Sequence, residues 1–291
     1  MYIPRKILEA KLIQLLVDDI GQGDVTSGAV IPACLNVEAE IIARDSGVVA
    51  GIEEAVILSE ILGLKVTTKV IDGNKIIKNQ ILMIVIGDAQ LILSVERTIL
   101  NLLSRMSGIA TTTNCLVTKL SKAKLKTRLA ATRKTVPGLN YFDKKAVLIG
   151  GGDPHRMNLA DMVLVKDNHI TLLGTVQEAV KKAKSKVSFS KKIEVEVNKI
   201  SDVLVAAKSG ADIIMLDNFS PKKVNEAINL IKKEGYFGKI LLEASGGITI
   251  ENFLIYASTQ VDIISLGELT HSVKPLDINL KIIKRNLKLN L

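Results

Sequence analysis

From about residue 126 onward, short apolar runs alternate with helical stretches, and this rhythm narrows the possible folds more than any other feature. The runs lie near 127–131, 162–166, 193–197, 213–216, 240–243 and 262–265. Helix signals fall between several of them. Thr175-Val176-Gln177-Glu178 reads as a capping-box start, and Ser220-Pro221 sets an N-cap before proline at the first helical position. Repeated strand-then-helix units require right-handed parallel crossovers. They leave two architectures, an open doubly wound sheet or a β/α barrel. No GxGxxG follows the first strand, which disfavours a dinucleotide-binding sheet. An α/β barrel with fewer than eight strands is expected.

The first 93 residues have a different pattern. Leu8, Leu12, Leu15 and Leu16 share helical spacing, so 5–19 reads as a helix ended by Gly21 and Gly23. Val37, Ala39 and Ile41 then alternate with Glu38 and Glu40, a strand pattern. Turn signals at Asp45-Ser46-Gly47, Asp72-Gly73-Asn74 and Gly87-Asp88 separate strand-like runs at 47–50, 65–71, 81–86 and 90–93. A helix is expected at 52–62. This is a mostly antiparallel α+β layer. A further helix at 94–106 takes Ser94 as its N-cap and carries Arg97, Asn101 and Arg105 on one face. On spacing alone that face reads as solvated.

Each run in the second region ends in residues that carry chemistry. The first ends in Thr132-Arg133-Lys134-Thr135 and the second in Lys166-Asp167-Asn168-His169. The third places Glu194 and Glu196 on one face, and the fourth ends in Asp217-Asn218. The fifth enters Glu243-Ala244-Ser245-Gly246-Gly247, and the sixth Leu266-Gly267 with His271 beyond. In a β/α barrel the C-terminal strand ends converge on one mouth, where sites form. Arg133, Lys134, His155, Arg156 and Lys166 make a cationic cluster, and arginine forks match carboxylates or phosphates. Glu196, Asp217 and Glu243 make an acidic edge suited to Mg²⁺ and sugar hydroxyls. Ser245-Gly246-Gly247 and Gly267 offer backbone N–H groups to a phosphate. A substrate with several anionic groups, a metal and a sugar fits all three. His155 follows the Gly150-Gly151-Gly152 turn and precedes Arg156, so contact with substrate and packing are both open to it. His169 and His271 read on spacing as packing residues.

Composition sets the remaining bounds. The 291 residues are 47% hydrophobic and 24% charged, ordinary for a globular protein. With 3% aromatics and no Trp, Ile, Leu and Val must fill the core. The net charge of +9 admits nucleic acid or a small anion as partner. The basic stretch 122–145 has only Tyr141 and Phe142 for stacking, so an anion pocket plus a solvated lysine face is expected rather than a nucleic-acid surface. Cys34 and Cys115 form no CxxC and read as two buried thiols in a reducing cytoplasm. Met1 to Leu16 lacks a signal-peptide pattern, and no apolar run reaches membrane-spanning length.

Together these segments resemble the quinolinate phosphoribosyltransferase family, in order along nearly the whole chain. The matching stretches are Gly23-Asp24-Val25-Thr26, Glu96-Arg97-Thr98 with Asn101, Ser107-Gly108-Ile109-Ala110-Thr111, and Thr132-Arg133-Lys134-Thr135 with Pro137-Gly138. They continue with Gly150-Gly151-Gly152 before His155-Arg156, Val165-Lys166-Asp167-Asn168-His169, Glu194-Val195-Glu196 and Leu216-Asp217-Asn218, then Glu243-Ala244-Ser245-Gly246-Gly247 and Leu269-Thr270-His271-Ser272. The Thr132–Thr135 and Lys166–His169 blocks are the specific ones; the glycine pieces alone are not. Asn140 departs from the pattern, where a basic residue is expected, and so does the spacer Asp153-Pro154.

The resemblance implies an N-terminal α/β sandwich domain, 1–106, joined by the tail 273–291, and an open or incomplete C-terminal α/β barrel, 107–272. It implies a pentosyltransferase that joins quinolinate to the ribose 5-phosphate of 5-phosphoribosyl diphosphate (PRPP) with loss of CO₂, giving nicotinate mononucleotide for NAD biosynthesis. It also implies a homodimer in which Arg97 enters the neighbouring site. There Arg97, Arg133, His155 and Arg156 would hold the quinolinate carboxylates, and Lys134 and Lys166 would sit where ring and diphosphate meet. Glu196 and Asp217 would position ribose hydroxyls and Mg²⁺, the metal through water and PRPP. Ser245, Gly246, Gly247 and Gly267, with His271, would line the phosphate end. A molybdenum-transport-associated homologue shares the Arg133-Lys134-Thr135 and glycine-turn motifs but is expected to lack the Lys-Asp-Asn-His block and the Glu-Arg-Thr helix. Another phosphate-binding barrel enzyme is the other alternative.

Overall fold

The computed structural model describes residues 3–286, the side chains up to 283. Two compact units emerge. One holds residues up to Asn114, with Leu148–Gly150 and the chain from Val273; the other holds Cys115–Val147 and Gly151–Ser272.

The first unit opens with helix α1 (Arg5–Ile20), which buries Leu8, Leu12 and Leu16 at the spacing that predicted it. A short helix α2 (Val25–Val30) follows, capped by Asp24, whose side chain accepts the N–H groups of Thr26 and Ser27. This gives the Gly23-Asp24-Val25-Thr26 motif a folding role. Then come β1 (Asn36–Ala43), β2 (Gly47–Val48), α3 (Ile52–Ile61), β3 (Lys65–Thr68), β4 (Lys75–Ile76), β5 (Ile81–Asp88) and α4 (Ala89–Lys122), whose residues from Cys115 onward are counted with the second unit. Val37, Ala39 and Ile41 of β1 are buried while Glu38 and Glu40 are not, the alternation of a half-covered strand. Removing an Ile41 or Leu58 side chain from water contributes about 1.5–3 kcal/mol.

Two expectations fail here. Residues 90–93 are not a strand but the first turn of α4, begun by Asp88, whose Oδ1 accepts the Leu91 N–H at 3.0 Å. A short apolar run has too few residues to separate period two from period 3.6. Ser94 is therefore inside the helix, bonding Gln90 O and Asp24 instead of capping. Nor does the helix stop at Met106. Gly108 sits mid-helix, where the backbone of Lys274 and Pro275 presses against it and leaves no room for a Cβ. Nearby, Ser107 Oγ accepts the Ala50 N–H at 3.0 Å and Thr111 Oγ1 that of Val48 at 2.9 Å. The Ser107–Thr111 motif is thus a packing surface.

In the second unit six strands form one parallel sheet. They are β6 (Arg128–Ala131), β7 (Val163–Val165), β8 (Ile193–Val197), β9 (Ile213–Asp217), β10 (Leu241–Ser245) and β11 (Ile263–Leu266). Helices α5 (Asn140–Ile149), α6 (Asp167–Leu173), α7 (Val176–Lys186), α8 (Ile200–Ser209), α9 (Pro221–Lys233), α10 (Phe253–Ala257) and α11 (Glu268–His271) alternate with them. Thr175 and Ser220 cap α7 and α9, as their sequences predict. The spatial order is β7-β8-β9-β10-β11-β6. That is the cyclic order of a barrel left open between its first and second strands. Part of the gap is filled by Asp153, whose N–H reaches Leu129 O and whose carbonyl accepts the Ala131 N–H. The strands are buried on both faces, as parallel sheets under helices require.

After Ser272 the chain returns to the first unit as β12 (Ile278–Asn286), antiparallel to β1 in the sheet β12-β1-β5-β3. Residues 287–291 of the tail lie outside the described residues. Both cysteines are exposed rather than buried; Cys34 occupies a turn at φ 61°, and small thiols carry little drive to choose a face. Among the described residues no helix is long and apolar enough to cross a membrane.

Candidate active site

The C-terminal ends of the barrel strands surround a cavity of about 700 Å³, the size of an ordinary small-molecule site. It brings together Arg133, Lys134, His155, Arg156, Lys166, Glu196, Asp217, Ser245, Gly246, Gly247, Gly267 and His271. Arg97, the remaining expected residue, is exposed on α4 in the first unit.

Strand register explains the grouping. Glu196, Met215 and Glu243 are level across β8, β9 and β10, and Asp217 is level with Ser245 one pleat higher. Lys166, just past β7, bonds Glu196 Oε2 at 2.7 Å. Its own N–H goes to His169 Nδ1 at 2.9 Å, so His169 closes the turn that presents Lys166. Past β6, Thr132 Oγ1 accepts the Lys134 N–H, and Thr270 Oγ1 donates to the Lys134 carbonyl at 2.8 Å. On the adjoining strands β11 and β10, Ser265 Oγ donates to Ser245 Oγ at 2.9 Å. Gly246 and Gly247 have φ of 84° and 63°, and a Cβ on Gly246 would strike Asn218. At Gly267 a Cβ would meet the Lys134 side chain at 2.9 Å and His271 at 3.0 Å, so a larger residue here would displace both side chains.

A tightly bonded loop carries His155 and Arg156. Asn140 Nδ2 donates to Met157 O at 3.0 Å, and Lys144 Nζ donates to Pro154 O, both from α5. The residue that departs from the family pattern therefore has a use as a loop tether. The expected lysine face also divides: Lys144 and Lys145 are buried, whereas Lys122, Lys124 and Lys126 are exposed.

At the cavity floor Glu243, expected on the acidic edge with Glu196 and Asp217, is instead withdrawn from solvent and grouped with His155 and Glu194. Glu194 and Glu243 are fully buried, and His155 Nε2 lies 3.1 Å from Glu243 Oε2 and 3.4 Å from Glu194 Oε2. Neither oxygen of Glu194 has a hydrogen-bond partner. Burial first, and then the charge of Glu243, push the Glu194 carboxyl well above the usual carboxylate range. Burial opposes a charge on His155, but the hydrogen bond and charge of Glu243, with Glu194, carry its pKa above the ordinary value. The available signal was the repeat Glu194-Val195-Glu196. Two acids on one strand face must both point into the barrel, and only the upper one can reach the mouth.

Residues 24–107 match the model of the quinolinate phosphoribosyl transferase N-terminal domain, and residues 109–281 match that of the C-terminal domain. The chain belongs to the quinolinate phosphoribosyl transferase family. Within that family it is 43% identical to a probable nicotinate-nucleotide pyrophosphorylase (carboxylating) of Methanothermobacter thermautotrophicus, over 93% of this chain and 96% of the relative. It is 41% identical to quinolinate phosphoribosyltransferase (decarboxylating) 1 of Nicotiana glauca, over 93% and 81% of the two chains. The solved nicotinate-nucleotide pyrophosphorylase of Francisella tularensis superposes with a TM-score of 0.88 at 36% identity, covering 97% of this chain and 98% of the other.

Proposed function

We propose that this quinolinate phosphoribosyl transferase family member transfers the 5-phosphoribosyl group of PRPP to quinolinate with decarboxylation, releasing nicotinate mononucleotide, diphosphate and CO₂ in NAD biosynthesis. One observation carries the reading. A single cavity holds arginine forks, two carboxylates on neighbouring strands and a glycine turn, the three recognition elements that a pyridine dicarboxylate and a phosphorylated sugar need. The names of the relatives support it.

Arg133 and Arg156 take the two ring carboxylates, joined by Arg97 of the neighbouring subunit in a homodimer. Lys134 and Lys166 stand where the ring meets the departing diphosphate. Glu196 and Asp217 orient the ribose hydroxyls, and Ser245, Gly246, Gly247 and Gly267 hold the 5-phosphate, with His271 beside them. Mg²⁺ fits the donor set. Glu196 and Asp217 are hard oxygen donors at the cavity wall, and no third acid joins them in a closed cage among the described residues. They would hold the ion with water and substrate oxygens completing it, the usual magnesium arrangement. The chemistry it supplies when bound is neutralisation of diphosphate charge.

The pyridine nitrogen attacks the anomeric carbon through an oxocarbenium-like transition state as the C–O bond to diphosphate breaks. The quaternised ring then draws in the electron pair of the 2-carboxylate bond, CO₂ departs, and a proton replaces it on carbon. No enzyme nucleophile is required. The gain comes from orientation and preorganised charge. The cytoplasm suits an enzyme with two exposed thiols.

The test mixes protein, quinolinate, PRPP and Mg²⁺ and measures nicotinate mononucleotide and CO₂. Equal yields of both are expected, with none from nicotinic acid in place of quinolinate. Lys134→Ala is expected to lose turnover by about 100-fold or more with unchanged circular dichroism. Product from nicotinic acid alone, or an undiminished Lys134→Ala, would overturn the assignment.

A further inference from the structure

The loop 153–157 is fixed from every side. Asp153 is paired to β6 through both backbone groups. Pro154 O accepts from Lys144, and Met157 O accepts from Asn140. Between them His155 adopts φ 52°, a left-handed conformation that a non-glycine residue holds only under local compulsion. Its N–H is taken by Asp153 Oδ1 at 2.7 Å. The ring is equally committed. Nδ1 accepts the Arg156 N–H at 2.8 Å, and Nε2 faces Glu243 Oε2 at 3.1 Å. A nitrogen that accepts an N–H carries no proton, so the proton must sit on Nε2 and be donated to Glu243.

We propose that Glu243 is a positioning residue: through the His155 ring it locks the turn that aims Arg156 into the cavity. This rests on the reading of the cavity as a quinolinate site. The geometry sets the tautomer against the local field. The charge of Glu243 invites a second proton onto the ring, but that proton would point into the N–H of Arg156. Keeping the loop and charging the ring are mutually exclusive. Glu243 itself is buried beyond reach of solvent, with Oε1 unbonded, so its one hydrogen bond, at Oε2, is spent on orientation.

The chain has three histidines, so ¹⁵N-histidine labelling gives three imidazoles, and His155 is assigned by its loss in His155→Gln. In the wild-type protein without substrate, at about pH 8 to 9, above the range in which the neighbouring carboxylates favour a second proton, its ring is expected to show Nε2 protonated and Nδ1 bare. A doubly protonated ring or the Nδ1–H tautomer overturns the proposal. The kinetic arm compares Glu243→Ala with Glu243→Gln, whose amide oxygen still accepts the Nε2–H. Glu243→Ala is expected to raise KM for quinolinate roughly tenfold to a hundredfold with KM for PRPP little changed, the cost of a misaimed binding group, and Glu243→Gln to recover most of that loss. Equal loss for both substrates, or no loss, counts against it. Should the wild type not bind quinolinate at all, the functional assignment fails, while the ring's tautomer still decides the positioning argument.

Discussion

Lys144 sits out of solvent with its ammonium on the Pro154 carbonyl. Burial, and then the positive charges of Arg156 and Arg133, lower its pKa from 10.5 to about 8. The sign follows from proton counting. Between about 8 and 10.5 the unfolded chain holds a proton that the folded chain has released, so stability rises with pH across that window. The contribution is complete above 10.5 and is lost as pH falls through about 8. The Tm of the wild type is therefore expected to gain on that of Lys144→Met as pH rises through this range. A constant difference between the two melting curves would show that Lys144 titrates normally. The residue's identity gave no hint of this. Lys144 belongs to a basic run that resembles a solvated face, and only the packing of α5 over the 153–157 loop separates it from its exposed neighbours.

At the scale of elements, α4 shows how packing overrides local preference. Alanine outranks glycine in a helix interior by about 1 kcal/mol, so Gly108→Ala judged by propensity alone should stabilise. The Lys274–Pro275 backbone occupies the space of the new Cβ, and overpacking typically costs about 1–3 kcal/mol. Gly108→Ala is expected to lower Tm. Gly28→Ala, in α2 with open space around it, is expected to hold or raise it. A Gly108→Ala protein at least as stable as the wild type would sink the account. The same contact shows what this glycine answers to, a neighbour more than 160 residues away that no local pattern encodes.

For the whole molecule, the proposed homodimer makes each active site depend on two chains. Arg97→Ala and Lys134→Ala would each be inactive alone. In a two-fold dimer a mixed pair contains one site with both defects and one with neither. Unfolding and refolding the two variants together in equal amounts is then expected to restore about a quarter of wild-type activity, since half of randomly formed dimers are mixed. Mixing that restores nothing would place Arg97 outside the neighbour's site. A quarter is also the ceiling, so full recovery would point to misassigned residues.

Strand existence and strand-end chemistry were legible in sequence because both depend on local order. Ile193-Glu194-Val195-Glu196 alternates whatever lies beside it, and Arg133, Lys166, Asp217 and Ser245 follow apolar runs whose parallel pairing is nearly forced by right-handed crossovers. What tertiary structure alone decided was contact between distant segments. It set the barrel seam at Asp153, the depth of Lys144, the tether from Asn140 and the level at which Glu194 and Glu243 meet under His155. Sequence period tells a side chain which way to face. How far it lies from solvent, and which partner it finds there, depends on strand register and on backbone brought close from far along the chain.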